Sequence, residues 1–210
     1  MDKVLLHCCC APCSVSCVEP LREEGFDITA FWYNPNIHPF KEYEARRNCL
    51  IEYSKEIGLP LLIKEDYGLK KFVKAVAEDI ENRCVFCYEH RLEETAKFAA
   101  ENGFSAFTST LFASIYQNHE LMKAAAEKYA EKYGVDIISI IVPATKERIQ
   151  EIAKASTGYI YLLAPAKVST SDPAIITDVP EIVKVIKEVT DTPVVVAVSN
   201  TSAYSSVNYK

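Results

Sequence analysis

What the sequence lacks narrows it first. Across 210 residues no apolar run approaches the roughly 18 that a membrane-spanning helix needs, so no span is expected. The chain opens Met1-Asp2-Lys3-Val4-Leu5-Leu6-His7, straight into a strand-like run, without a long apolar signal region and its cleavage site. The expected location is the cytoplasm, with no membrane partner. Positive charge is in deficit, with 23 Lys and Arg against 29 Asp and Glu, a net charge of -6. Bulk charge therefore cannot hold nucleic acid, and an RNA partner would need a local basic patch. No G-x-G-x-x-G, Walker sequence or Ser-Gly-Gly loop is present, which removes the familiar glycine-rich phosphate cradles. Pro-rich linkers and low-complexity segments are missing too, so one compact domain is the default.

Cysteine is absent from everything after Cys87. All eight lie before that point, at Cys8, Cys9, Cys10, Cys13, Cys17, Cys49, Cys84 and Cys87. In a cytosolic chain such crowding points to metal or redox chemistry rather than structural disulfides. Neighbouring cysteines strain a bridge between themselves, but a turn can aim both sulfurs at one metal. The C-x-x-C of Asn82-Arg83-Cys84-Val85-Phe86-Cys87-Tyr88 sets two sulfurs a helical turn apart. Alone it suits a thioredoxin-type dithiol, half a zinc site or half an iron–sulfur site. Two pairs supply four thiolates, the number a [4Fe–4S] cluster takes, and tetrahedral zinc would accept the same four. Cys17 and Cys49 fall inside helical stretches and read as packing residues.

Only six glycines occur, and five punctuate the chain regularly. Gly25, Gly58, Gly103, Gly134 and Gly158 each end a polar helical stretch and open an apolar run. The runs are 26–33, 59–63, 104–111, 135–142 and 159–164. With strands near 3–8 and 193–198, about seven strands alternate with helices. The helices are expected at 15–24, 41–57, 69–78, 88–102, 118–133, 146–156 and 180–189. Such alternation implies an α/β fold, a parallel sheet with helices on both faces. The boundary between the cysteine-rich region, 1–135, and a tail, 136–210, completing the same domain, is expected near Gly134.

Ligands in open parallel sheets gather beyond the carboxyl ends of the strands. Cys8-Cys9-Cys10-Ala11-Pro12-Cys13 sits at such an end. So do Phe31-Trp32-Tyr33-Asn34-Pro35-Asn36-Ile37-His38-Pro39 and the run from Thr108 to His119. Hydroxyls, amides, imidazoles and rings together suit a flat polar ligand such as a nucleobase. Helix capping by Asn118 and plain turns at Asn34-Pro35 and His38-Pro39 are the competing readings.

Leu5 to Ser14, Tyr33 to Pro39, Asn82 to Leu92 and Tyr116-Gln117-Asn118-His119, taken in this order, resemble the epoxyqueuosine reductase QueH family over residues 1 to about 135. The resemblance implies a Rossmann-like (HUP-type) sheet and a [4Fe–4S] cluster held by Cys9, Cys10, Cys84 and Cys87. It implies reduction of epoxyqueuosine in a tRNA anticodon loop to queuosine, with electrons from an external donor. The family's Cys-x-Cys near the C-terminus has no match here. Residues 138–198 instead resemble later strands of the tryptophan synthase α-subunit barrel, although its phosphate-binding Gly-Phe-Gly reads Ala197-Val198-Ser199.

Removing an epoxide oxygen takes two electrons and an acid or Lewis acid. Cys13 and Cys8 are the spare sulfur ligands for a second iron. Cys13, His38, Tyr116 and His119 are the candidate catalytic groups. Tyr33, Asn34, Arg83, Arg91, Gln117 and Asn118 are the candidate substrate contacts, since arginine forks suit phosphate. A non-catalytic zinc- or cluster-binding module and a thiol–disulfide oxidoreductase using Cys84 and Cys87 remain the alternatives.

Overall fold

The computed structural model describes residues 2–114, 117–141, 144–156, 160–164 and 173–198. The chain forms two compact units, Met1–Asp136 and Ile137–Lys210. Unit 1 runs β1 (Lys3–His7), α1 (Ala11–Glu23), β2 (Asp27–Trp32), α2 (Phe40–Glu56), β3 (Leu61–Ile63), α3 (Leu69–Val76), α4 (Arg83–Glu101), β4 (Ala106–Ser109), a 3-10 turn (Thr110–Ala113) and α5 (His119–Tyr133). β5 (Asp136–Ile137) crosses the boundary. The sheet order is β3-β2-β1-β4-β5. β1 pairs in parallel with both β2 and β4, and β2 with β3. Val4, Leu5 and Leu6 of β1 are fully buried, the unbroken apolar run of a strand covered on both faces. The order reverses direction between β1 and β4, which opens a crevice at their carboxyl ends.

Helix stops at glycine are as expected. Gly134 caps α5 in the left-handed region, φ 66°, where only glycine escapes a Cβ penalty. Gly158 lies outside the described residues. Gly68 has a second constraint, because a Cβ there would stand 2.5 Å from Pro35 Cβ. That close approach seats the Asn34-Pro35 turn against the start of α3.

Two helices begin earlier than expected. α1 starts at Ala11 rather than Val15, since Pro12 in its first turn forfeits only an N–H the turn leaves unbonded. α4 starts at Arg83 rather than Tyr88, so the C-x-x-C lies within its opening turns instead of between helices. The apolar run 135–142 is broken between β5 and β6 (Ser139–Ile141), and the strands do not share one continuous sheet.

Unit 2 holds β6, β7 (Ala144–Thr145), α6 (Lys146–Ala155), β8 (Ile160–Ala164), β9 (Ile175–Ile176), α7 (Val179–Lys187) and β10 (Val194–Val198). β10, β8 and β6 form a parallel sheet, and β7 pairs antiparallel with β9. Its core is aliphatic, including Ile149, Ile152, Ile160, Leu162, Ile182, Ile186 and Val194. Thr145 and Asp178 cap α6 and α7 through their side-chain oxygens. Among the described residues no helix is long and apolar enough to cross a membrane.

Candidate metal centre

β1 ends at His7, and Cys8 continues its ladder by donating N–H to Phe31 O at 2.9 Å. The chain then turns, with Cys10 extended at the head of α1. Sulfurs on either side of this turn part company. Cys8 is fully buried and gives its thiol to Leu6 O, 3.3 Å away. Burial pushes the Cys8 thiol up, away from thiolate. It therefore packs in the core and does not line the cavity, against its expected place as a spare ligand. Cys9, Cys10 and Cys13 face the other way, their sulfurs all within 4.8 Å of one another.

These three open onto a cavity of about 370 Å³, which Cys84 and Cys87 also line. The second pair arrives by helix periodicity. Cys84, Cys87, Tyr88 and Arg91 fall at i, i+3, i+4 and i+7 of α4, one face, and all four border the cavity. Beyond Arg91 the buried face continues through Leu92, Thr95, Ala96 and Ala99, with the Thr95 hydroxyl donating to Arg91 O at 2.7 Å. β4 completes the crevice. Thr110, just past it, accepts from Cys9 N at 3.2 Å and donates to Cys9 Sγ at 3.4 Å. The two strands of the switch point are thus tied at the cysteine turn itself.

Beneath the turn lies a buried polar scaffold. His7 Nδ1 meets Ser109 Oγ at 2.8 Å and Nε2 meets Tyr33 O at 3.1 Å. Burial drives the His7 imidazole down to about 3, so it stays neutral. Asn34 donates Nδ2 to Cys8 O at 2.9 Å. The electrostatics of the cavity run one way. Arg46, Arg83 and Arg91 line it, and no Asp or Glu does among the described residues. Hydrogen bonds from Cys10 and Cys13, with help from Thr110 and Arg91, hold the Cys9 thiol far below its ordinary value. The same hydrogen bonding, from Cys10 first and then Cys9, pushes Cys13 up. Desolvation raises Cys87, with Arg91 opposing it.

The other expected site residues divide. Cys13, Arg83, Arg91 and Gln117 line the cavity with the four expected ligands. Gln117 Oε1 accepts from Tyr88 OH at 2.8 Å. His38 sits one layer back, against Tyr67 and Phe72 at 4.9 and 5.0 Å between ring centres, and is not among the lining residues. His119 is buried against Phe112, and Tyr33 hydrogen-bonds His90 at 3.0 Å; neither lines the cavity. Asn118 caps α5, its Oδ1 accepting from Leu121 N at 3.2 Å. Tyr116 lies outside the described residues. Cys17 is buried as expected, whereas Cys49 is exposed. The buried stripe of α2 runs through Tyr43, Leu50 and Ser54, which leaves Cys49 off its edge. Asn36 and Thr110, from the two runs expected at this rim, line the cavity, and Arg46 and Tyr88 line it without having been expected there. Tyr88 could have been found by extending the C-x-x-C at helical spacing; Arg46 had no local signal.

This fold and this site define a Rossmann-like α/β protein with a cysteine-lined, electropositive centre at its topological switch point. The sequence profile of "Epoxyqueuosine reductase QueH" matches residues 4–161, past the boundary near 135 that the sequence motifs suggest. Relatives named epoxyqueuosine reductase QueH include one from Dehalococcoides mccartyi, 38% identical over 63% of this chain and 73% of its own length. Those of Histophilus somni and Haemophilus influenzae are 39% and 37% identical, over 63% and 65% of this chain. The chain spans 56% and 57% of these two. It belongs to the epoxyqueuosine reductase QueH family, a family of oxidoreductases. A profile of the tryptophan synthase alpha chain also matches residues 115–208. The tryptophan synthase alpha subunit of Campylobacter jejuni aligns with 93% of this chain and 77% of its own, at 15% identity and a TM-score of 0.40.

Proposed function

We propose that this chain reduces epoxyqueuosine in the anticodon loop of tRNA to queuosine, using a [4Fe–4S] cluster. The carrying observation is the convergence of five cysteines, from the β1–α1 turn and the first turns of α4, on one cavity with three arginines and, among the described residues, no carboxylate. The donor set fits the group. Cys9 and Cys10 supply one pair of thiol donors and Cys84 and Cys87 a second, the four that such a cluster takes, and all four line one cavity. Cys9, Cys10, Cys84 and Cys87 would hold it. When bound, such a cluster supplies low-potential electrons singly.

The reaction takes two electrons and two protons, breaks both C–O bonds of the epoxide and releases water, leaving an alkene. Cys13, whose sulfur lies within 4.8 Å of those of Cys9 and Cys10, is the candidate proton donor. Tyr88, anchored between Asn118 N and Gln117 Oε1, orients the Gln117 amide at the rim. Arg46 and Arg83 supply a local basic patch on an otherwise acidic chain, suited to backbone phosphates. The modified base leaves the anticodon stack to enter the cavity. The electron donor is an external reductant.

The tight Cys9–Cys10–Cys13 set favours one second reading, a single metal such as zinc held without turnover. Anaerobic purification separates them. A brown protein absorbing broadly near ~400 nm, forming queuosine from epoxyqueuosine-containing tRNA with dithionite, supports the reductase. A colourless zinc protein without product supports the second.

A further inference from the structure

The three cavity arginines are not alike. Arg46 is paired with Glu42 at 2.5 Å, one turn back on α2. Arg83 is exposed and gives Nη1 to Ile80 O at 3.1 Å. Arg91 is 5% exposed and gives Nε to Cys87 O at 2.9 Å. Among the described residues no carboxylate lies within ion-pairing distance of it. A guanidinium taken out of water without an anion is strongly unfavourable. Among the described residues the cavity wall that Arg91 shares carries no Asp or Glu, and the sulfurs of Cys9, Cys84 and Cys87 line it beside the guanidinium.

We infer that Arg91 is a positioning residue whose fixed buried charge offsets the negative charge of the cysteine-bound centre and raises its reduction potential. The inference rests on the reading that the cavity holds an iron–sulfur cluster. A centre that accepts an electron gains negative charge. A cation held beside it, out of water, stabilises the reduced form more than the oxidised one, because the low-dielectric surroundings screen it little. Arginine suits this place better than lysine, since a guanidinium keeps its proton when buried. The location on α4 is equally apt. Arg91 follows Cys84 and Cys87 on one helix face, and its Nε bond to Cys87 O fixes it to the ligand-bearing turn.

The test uses the full chain, reconstituted anaerobically with iron and sulfide and titrated redox-wise by visible absorbance. Arg91→Gln is expected to take up the same iron and sulfide per chain. Its reduction equilibrium is expected to be at least tenfold less favourable, a 59 mV more negative midpoint for one electron. Arg91→Lys, protonated beside an anionic centre, is expected to recover at least half of that shift. A role in packing alone would leave the midpoint unmoved, so an Arg91→Gln shift below tenfold overturns the inference. An unmoved midpoint with weakened tRNA binding would make Arg91 a phosphate contact instead. Should Arg91→Gln not fold, Arg91→Lys decides through pH, since a buried ammonium loses its proton where a guanidinium does not: a midpoint that falls with rising pH more steeply than the wild type's supports the inference, and a pH dependence identical to the wild type's overturns it. A wild-type chain that takes up no iron and sulfide overturns the cluster reading itself, and this inference with it.

Discussion

The two units use the same materials to different ends. Both pack helices on parallel strands. In unit 2 the buried cluster is aliphatic, drawn from α6, α7 and the strands β8 and β10. In unit 1 the buried set includes His7, Asn34, Arg91, Thr95, Thr108, Ser109, Thr110 and His119. Buried polar groups weaken a fold unless each is hydrogen-bonded or charge-balanced. Unit 1 concentrates them around the β1–β4 crevice, where they hold the cysteine turn in one shape. The contrast separates a core built for packing from a core built to aim side chains.

The comparison can be broken at either end. Cys84→Ala removes one expected ligand from the cavity. Iron and sulfide per chain should fall by more than half and queuosine formation by about a hundredfold or more, at the top of the range for lesions of metal sites. Full cluster content in that variant would show that the second cysteine pair is not ligating. In unit 2, Ile186→Ala empties a fully buried site in the aliphatic cluster. It should cost ~2–5 kcal/mol in denaturant unfolding while leaving iron per chain unchanged. A matching loss of iron would mean that the aliphatic core and the cavity are not separable. Asn118→Ala gives the smallest effect and sharpens the boundary between scaffold and site. As a helix cap, Asn118 should cost about 1 kcal/mol of stability when truncated, with tRNA affinity retained. Weaker tRNA binding at unchanged stability would restore it to the substrate contacts.

Much of unit 1 could be read locally. Alternating apolar runs with glycine stops gave β1, β2, β3 and β4 to within a few residues, because strand and helix periods are properties of consecutive residues. The cysteine pairs pointed to a centre for the same reason. Helix starts were harder. α1 opens on Ala11-Pro12-Cys13 and α4 on Arg83-Cys84, neither of which starts a clear apolar stripe, so their beginnings were displaced by four and five residues. The histidines show the limit of loop reading. His38 and His119 follow strands at the right end of a sheet, yet rings from α3 and the 3-10 turn cover them. Placement at a rim does not fix which way a side chain points.

The sequence by itself determined that unit 1 is a strand–helix alternation with two cysteine pairs at strand and helix ends. It did not set where α4 begins, and only the observed start at Arg83 puts Cys84, Cys87, Tyr88 and Arg91 at helical spacing on one face. Tertiary structure alone decided which sulfurs serve the centre. Cys8 and Cys9 are chain neighbours, but the end of β1 sends one into the core and the other toward Thr110. It decided that Arg91 is buried beside thiols while Arg83 stays in water. These outcomes depend on β4 lying beside β1 and on α4 crossing their ends, contacts between residues about a hundred positions apart that no local period encodes.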